Sequence, residues 1–261
     1  MRFFSRQRLR RGGEAVTDRD KSSLTTLATL RAADPDQDNQ LVQFVQAVNQ
    51  AGGTYHRLDF GSGLVVNGDY DMARYVQFYH LPEDLRGKAV LDIGSASGYF
   101  ALECARRGGR VTAIDIYDDC FLRDLLAVLQ VDVHYVKKSV YDLDASFDQF
   151  DLVICGSVLL HLPDQLGAIG RIRTVCRGQA VVSTACPADS VNNPRPICEF
   201  SGERAADGDY WSYWSVGAAA LRKMLLVSGF ARVENEHHFT LATEAGRTVI
   251  ATPHVVMTAS V

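Results

Sequence analysis

Asp92, Gly94 and Gly98 stand in the spacing acid-x-Gly-x-x-x-Gly, and a second acid, Asp115, follows at the end of a short apolar run. Glycines at such a turn let a ligand approach the backbone, and a helix starting behind them adds free N–H groups and a positive end. A carboxylate in the place of Asp115 can accept hydrogen bonds from two ribose hydroxyls. The chemistry suggested is recognition of a nucleoside-containing ligand, with Ser95 in the turn and Ile116 beside the acid. A dinucleotide fingerprint, G-x-G-x-x-G, is not met: counting from Gly94, its second and third glycines are Ala96 and Tyr99.

The elements that must position these residues form a βαβ unit. Ala89, Val90, Leu91 and Ile93 make a run too short for a helix and rich in branched residues, which predicts a buried strand. Phe100, Ala101, Leu102 and Ala105 recur at helical spacing, Gly108 and Gly109 stop that helix, and Val111 to Ile116 form the next strand. An α/β protein holds its ligand outside the carboxyl ends of such strands. On these residues the segment resembles motif I of the class I S-adenosylmethionine methyltransferases, followed by that family's acid after the second strand. Ala96 departs from the third glycine found in many members. The resemblance implies a Rossmann-like α/β fold, a seven-stranded sheet with helices on both faces. It implies S-adenosylmethionine as cofactor, bound by Asp92, Gly94, Ser95, Gly98, Asp115 and Ile116.

Downstream order agrees. Phe121, Leu122, Leu125, Leu126 and Leu129 predict a helix, and Val131 to Val136 a third strand. The loop after it places Ser139, Val140 and Tyr141 where the family makes adenine contacts. Phe150 to Cys155 is nearly continuous in apolar residues, as a strand covered on both faces should be. It runs into Gly156-Ser157-Val158-Leu159-Leu160-His161-Leu162, which resembles the family's F-D-x-V-x-x-x-x-V-L-x-H-L. By resemblance Cys155 and Gly156 lie under the methionine portion of the cofactor. His161 follows a strand end facing the pocket and titrates near neutrality, which makes it the candidate catalytic residue. A structural hydrogen bond accounts for the same placement.

The rest of the chain supplies an extension and a lid. Residues 1–21 read as a basic tail, either disordered or an arm toward a polyanion, and 22–87 as an extension capping the active site. Helical patterns run from Ser22 to Ala33 and from Leu41 to Ala51, Tyr55 to Phe60 alternates like a strand, and Met72, Tyr75, Val76 and Tyr79 share a helical face. An aromatic-His strand, a G-x-x-x-x-G turn, an aromatic helix and L-P-E-D-L-x-G-K resemble the methyltransferases grouped with the tRNA wobble-uridine (5-oxyacetic acid) enzyme, a group that includes natural-product enzymes. That resemblance makes His56, Asn67, Tyr70 and Tyr75 candidates for the rim of the site; packing of the aromatics against the sheet is the alternative. Residues 88–261 form the methyltransferase domain, with an irregular lid over 186–214. A loop of that length in a compact domain is usually functional. Glu199, Trp211, Tyr213 and Trp214 fall there, and the two tryptophans suit an aromatic-walled pocket or an anchor for the lid. Val216 to Ser228 reads as a helix, with Phe230 to Phe239 and Thr248 to Thr258 as a terminal antiparallel pair.

Composition bounds the function. Hydrophobic residues at 47% and charged at 22% are ordinary for a globular chain. No apolar run approaches the ~18 residues of a membrane span. A net charge of −4 argues against an extensive nucleic-acid surface, and the six cysteines show no C-x-x-C pairing, so reduced thiols in the cytoplasm and no metal site are expected. The expected function is methyl transfer from S-adenosylmethionine to a small-molecule acceptor, in the manner of secondary metabolism. Modification of a tRNA wobble uridine is the second reading, and a non-catalytic cofactor-binding subunit the third.

Overall fold

The computed structural model describes residues 26–118, 120–204, 208–243 and 250–261, and the side chain of Cys120 is left aside. The basic tail and the start of the first expected helix therefore lie outside the described residues. Of that helix the described part is one short turn, Ala28–Leu30. Helix α1 (Pro35–Gln50) starts where Asp34 accepts a hydrogen bond from the Asp36 N–H and proline fills the first helical position. It buries Leu41 and Val45 and sets Phe44 against Phe121, ring centroids 5.6 Å apart.

Four short strands follow: β1 (Thr54–His56), β2 (Leu58–Asp59), β3 (Val65–Val66) and β4 (Gly68–Tyr70), with β1 parallel to β4 and β2 antiparallel to β3. The aromatic segment expected as one helix is instead two 3-10 turns, Met72–Arg74 and Val76–Tyr79, ended by His80 in the left-handed region. Aromatic side chains crowd a helical turn, and here Tyr75, Phe78 and Tyr79 turn instead toward Phe239, a residue of the main sheet.

That sheet comprises β5 (Ala89–Ile93), β6 (Arg110–Asp115), β7 (Val133–Lys137), β8 (Phe150–Gly156), β9 (Cys176–Ala185), β12 (Arg232–Ala242) and β13 (Ala251–Ser260), in the order β12-β13-β9-β8-β5-β6-β7. All neighbouring pairs from β9 to β7 are parallel, and β13 runs antiparallel between β9 and β12. The parallel crossovers carry α2 (Tyr99–Arg106), α3 (Cys120–Leu129) and α4 (Gln165–Val175), and α5 (Ala218–Val227) precedes β12. Strand β5 is buried along its whole length, which is why it is apolar at every position but Asp92. The helix expected to start at Pro163 starts at Gln165, because the Asp164 side chain caps it by accepting from the Gly167 N–H.

The pleat divides the core. Val90, Val111, Leu152, Ile154, Val181 and Val256 face one layer with the N-terminal extension, whereas Leu91, Val153, Cys155, Val182 and Val255 face the other with α4 and α5. The lid is not irregular as expected: β10 (Cys198–Arg204) and β11 (Tyr210–Val216) form an antiparallel hairpin with Phe200 opposite Trp214. Arg107 ties the extension to α2, donating to the Leu81 carbonyl at 2.7 Å while its guanidinium pairs with the fully buried Glu103 at 2.6 Å. No helix among the described residues is long and apolar enough to cross a membrane.

Candidate functional site

Five strands, β5 to β9, end at one edge of this sheet, and Asp92, Asp115, Gly156 and the glycine turn lie at that edge. The turn after β5 is tightly specified: Gly94 and Gly98 have φ of +69° and +86°, and a Cβ on them would meet Val158 Cγ2 at 2.3 Å and Leu122 Cδ1 at 2.4 Å. Ala96, the residue that replaces a glycine, is itself left-handed at φ +45°. Its N–H donates to Asp115 Oδ2 at 3.0 Å, which offsets the cost of that conformation.

Sequence reasoning expected the turn to offer free N–H groups to a ligand, and the structure revises this. Gly94 and Ser95 donate to the Ile114 carbonyl, Gly98 to the Ser95 carbonyl and Tyr99 to His56 Nδ1. These donors shape the turn, so it offers close approach rather than an anion cradle. Asp115 is held from both sides, Oδ1 accepting from the Tyr117 N–H at 3.2 Å, and each of its oxygens keeps a lone pair for a ligand hydroxyl. Ile116 and Tyr117 flank it, both exposed.

Asp92 lies beneath the turn, 2% exposed. Burial raises its pKa to about 7; the N–H of Ala101 at the start of α2 pulls the other way, and the charge of Asp115 adds to the rise. Asp92 Oδ2 and Ser95 Oγ are buried with no hydrogen-bond partner among the described residues. Ser139 Oγ accepts from the Tyr141 N–H, Val140 is buried, and Tyr141 bridges to the next loop through its hydroxyl and the Asp164 carbonyl at 3.1 Å.

At the end of β8 the two neighbours separate. Gly156 faces the site, packed so closely on Phe100 that a Cβ would meet its ring at 2.8 Å, whereas Cys155 turns into the opposite layer. The Cys155 side chain thus lies on the face of the sheet away from Gly156 and Phe100. Ser157, next in sequence, holds a left-handed φ of +60° and donates its N–H to the Ser183 carbonyl at 2.9 Å. Non-glycine residues in that region concentrate at functional sites.

His161 pairs through Nδ1 with the Trp211 carbonyl, its ring 5.8 Å from the indole. A carbonyl only accepts, so Nδ1 carries the hydrogen and Nε2 presents a lone pair. Desolvation lowers the pKa of His161, opposed by the Trp211 carbonyl and by the charge of Asp115.

The remaining candidates scatter. Trp214 anchors the lid, donating to the Pro163 carbonyl at 3.2 Å and meeting Phe200 edge-on. Tyr213 pairs with Tyr210, and Glu199 lines a separate cavity of about 130 Å³ with Asp189, Ser190 and Arg195. Tyr75 stacks near Phe239 at 5.2 Å, and its hydroxyl accepts from the Ala242 N–H. Tyr70 and His56 are buried: Tyr70 lies against Tyr55, and His56 caps α2. Asn67 donates its N–H to the Asn49 side chain within the extension. Sequence reasoning singled out neither Ser97, Ser183 nor His254, and it read Ser157 only as part of a motif, Tyr79 only as part of a helical face and Phe239 only as a strand residue. For His254 the one signal was a polar residue inside an apolar strand.

The comparisons fit this geometry. A family model described as "Methyltransferase domain" matches residues 67–242. Over 105 residues the chain is 33% identical to the ubiquinone biosynthesis O-methyltransferase of Aeromonas salmonicida, a match covering 38% of this chain and 44% of that one. Over 91 residues it is 40% identical to the same-named enzyme of Xanthomonas oryzae pv. oryzae, covering 33% and 37%. The chain thus spans less than half the length of these curated relatives. Among solved structures, the N-terminal domain of EvdMO1 with SAH bound superposes with TM-score 0.61 at 17% identity, covering 84% of this chain and 95% of that one. A putative methyltransferase from Bacillus halodurans C-125 does so with TM-score 0.53 at 19% identity, covering 73% and 98%. At these identities the superpositions establish the class I methyltransferase fold, while the family model takes in the turn, both acids and the lid together. The chain belongs to the methyltransferase-domain family.

Proposed function

We propose that this chain transfers a methyl group from S-adenosylmethionine to a small, uncharged acceptor. The observation that carries the reading is Asp115, whose carboxylate is fixed at the end of β6 by the Ala96 and Tyr117 N–H groups and faces the glycine turn. The residues present fit the cofactor. Asp115 is suited to the ribose hydroxyls and Ser139 to Tyr141 to the adenine. The partnerless Asp92 Oδ2 and Ser95 Oγ are suited to the polar amino-acid end. When bound, S-adenosylmethionine supplies a methyl group on a sulfonium, whose leaving group is a neutral thioether.

The protein's share of such a reaction is alignment and exclusion of water. Gly94 and Gly156 keep the floor of the site free of side chains, and the hairpin pinned through Trp214 covers the β8 end. His161, with Nε2 unprotonated, is placed to accept a proton on the lid side.

The resemblance to the tRNA wobble-uridine group supports a role for the extension as a cap, but a tRNA acceptor would call for free cations. Several arginines of the described surface are tied in ion pairs, among them Arg31 with Asp38, Arg86 with Asp84, Arg177 with Asp151 and Arg222 with Glu236. The hydroxyls, imidazoles and aromatic rings near the β8 and β9 ends suit a planar small molecule, as in natural-product pathways. The test is calorimetric titration with S-adenosylhomocysteine of the wild type and of Asp115→Asn. Losing a charge-assisted pair should weaken binding about tenfold or more. No binding by the wild type would sink the reading.

A further inference from the structure

Two imidazoles meet where the N-terminal extension crosses the edge of the main sheet. The 3-10 turn Val76–Tyr79 ends at His80, and strand β12 passes it at His237, with the two ring centres 4.7 Å apart. The residues are distant in the chain, and only the docking of the extension brings them together.

Each ring is aimed by its own element. On β12, Glu236 and His238 pair with each other at 3.0 Å on the side of α5, where Arg222 also reaches Glu236. Side chains alternate along a strand, so His237 between them faces the extension, and the Phe78 ring flanks it at 5.9 Å. His80 holds a left-handed φ of +47°, a conformation that glycine or asparagine adopts at less cost. The chain nevertheless carries an exposed imidazole there. Neither ring makes a hydrogen bond or an ion pair among the described residues, so the ring nitrogens are free for an outside partner.

The spacing and the donor type select that partner. With Zn–N bonds of about 2.0–2.1 Å and an angle near tetrahedral, two imidazoles on one ion have ring centres roughly 5 Å apart. Turning the exposed His80 ring about its Cβ–Cγ bond re-aims its nitrogens with little movement of the ring centre. No group of three or more His, Cys, Asp or Glu side chains among the described residues could hold a metal ion, so two nitrogens are the protein's whole donor set and water fills the other positions. Imidazole donors without a carboxylate suit zinc, nickel or copper; magnesium and calcium take oxygen ligands.

We propose that His80 and His237 form a two-histidine site for a divalent ion of the zinc type, which clips the N-terminal extension to strand β12. An ion held by both elements binds only while the extension is docked, so its binding adds to the stability of the docked fold. The site stands apart from the methyl-transfer reading, since neither imidazole is assigned to the cofactor.

The experiment uses the full, untagged chain with zinc chloride as probe and magnesium chloride as its oxygen-seeking counterpart. Calorimetry should show Zn2+ binding, and Zn2+ at about a hundredfold over Kd should raise Tm by roughly 5–10 °C, reversed by a chelator and not produced by Mg2+. Imidazole nitrogen NMR of the wild type should show the His80 and His237 resonances moving on addition of Zn2+. His80→Asn keeps a residue that tolerates the left-handed backbone, and His237→Gln keeps a polar side chain on β12. Loss of an outer-shell partner alone costs about 10–100-fold in metal affinity, so removing one of two ligands should weaken Zn2+ binding about hundredfold or more. Melting of the metal-free variants close to the wild type would show that they are folded, and the wild-type spectra decide the matter without any variant. Absence of Zn2+ binding by the wild type would overturn the proposal. So would undiminished affinity in both variants, movement of other histidine resonances in place of these two, or equal stabilisation by Mg2+.

Discussion

The backbone N–H of His56 donates to Ser97 Oγ at 2.7 Å, joining the first strand of the N-terminal extension to the middle of the glycine turn. Two residues on, the Tyr99 N–H reaches back to His56 Nδ1 at 3.4 Å. The extension therefore holds the turn in shape at two points, and both residues are buried. Ser97→Ala should leave a buried N–H without its partner, costing about 1–3 kcal/mol of stability. Affinity for S-adenosylhomocysteine should fall with it, since the turn loses a support. Chemical denaturation and calorimetry check both, and unchanged values would mean that the contact does not shape the turn.

The same histidine makes an acid-sensitive joint. Burial pulls the pKa of His56 down to about 3, well under the ordinary 6.5. The unfolded chain then takes up the proton first, so the contribution of neutral His56 is complete above pH 6.5 and drains away as pH falls toward 3. His254 acts in the same direction, down to about 4. Asp92, raised to about 7, acts oppositely, favouring the fold as pH drops from 7 toward its ordinary 3.8. His56→Asn keeps an acceptor for the Tyr99 N–H and removes the titration. Between pH 6.5 and 4.5 it should lose less stability than the wild type, by about 1 kcal/mol per pH unit, in urea denaturation at each pH. A parallel loss in both proteins would refute the assignment.

Glycine substitutions separate conformational cost from contact. Gly63 and Gly94 both have positive φ, +77° and +69°, but a Cβ at Gly63 meets nothing within 4 Å, whereas at Gly94 it collides with Val158. Gly63→Ala should cost only the backbone penalty, about 1 kcal/mol, and Gly94→Ala about 2–4 kcal/mol once Val158 is displaced. For a chain of this size each kcal/mol lowers Tm by roughly 2–4 °C. Donor binding should suffer only in the second variant. Equal melting temperatures would show that Val158 yields freely.

What the sequence discloses follows from how locally each feature is encoded. The βαβ unit around Asp92 and Asp115 is legible because buried parallel strands are written as apolar runs and the turn as glycines within a few positions. The lid hairpin is not, because the pairing of β10 with β11 shifts register between Phe200 and Arg204 and its strands mix Glu, Ser and Gly with aromatics. The two 3-10 turns over 72–79 carry helical spacing, yet their aromatics are spent on Phe100 and Phe239, a tertiary choice that local propensity does not record. His254 and Ser183 are far apart in the chain and come onto neighbouring strands only because β13 inserts beside β9.

Tyr79→Phe tests whether the hydroxyl beside Ser157 and Ser183 stabilises the fold. A buried tyrosine whose hydroxyl is satisfied loses about 1 kcal/mol when that group is removed. The Tyr79 ring is fully buried, and its hydroxyl lacks an aligned partner among the described residues, so phenylalanine retains the packing on Phe100 and sheds a desolvated group. The variant should therefore melt no lower than the wild type, and up to about 4 °C higher if the desolvation penalty is recovered in full. Thermal denaturation of the ligand-free protein decides the matter: a fall in Tm would show that Ser157 or Ser183 already satisfies the hydroxyl, leaving it with a structural role.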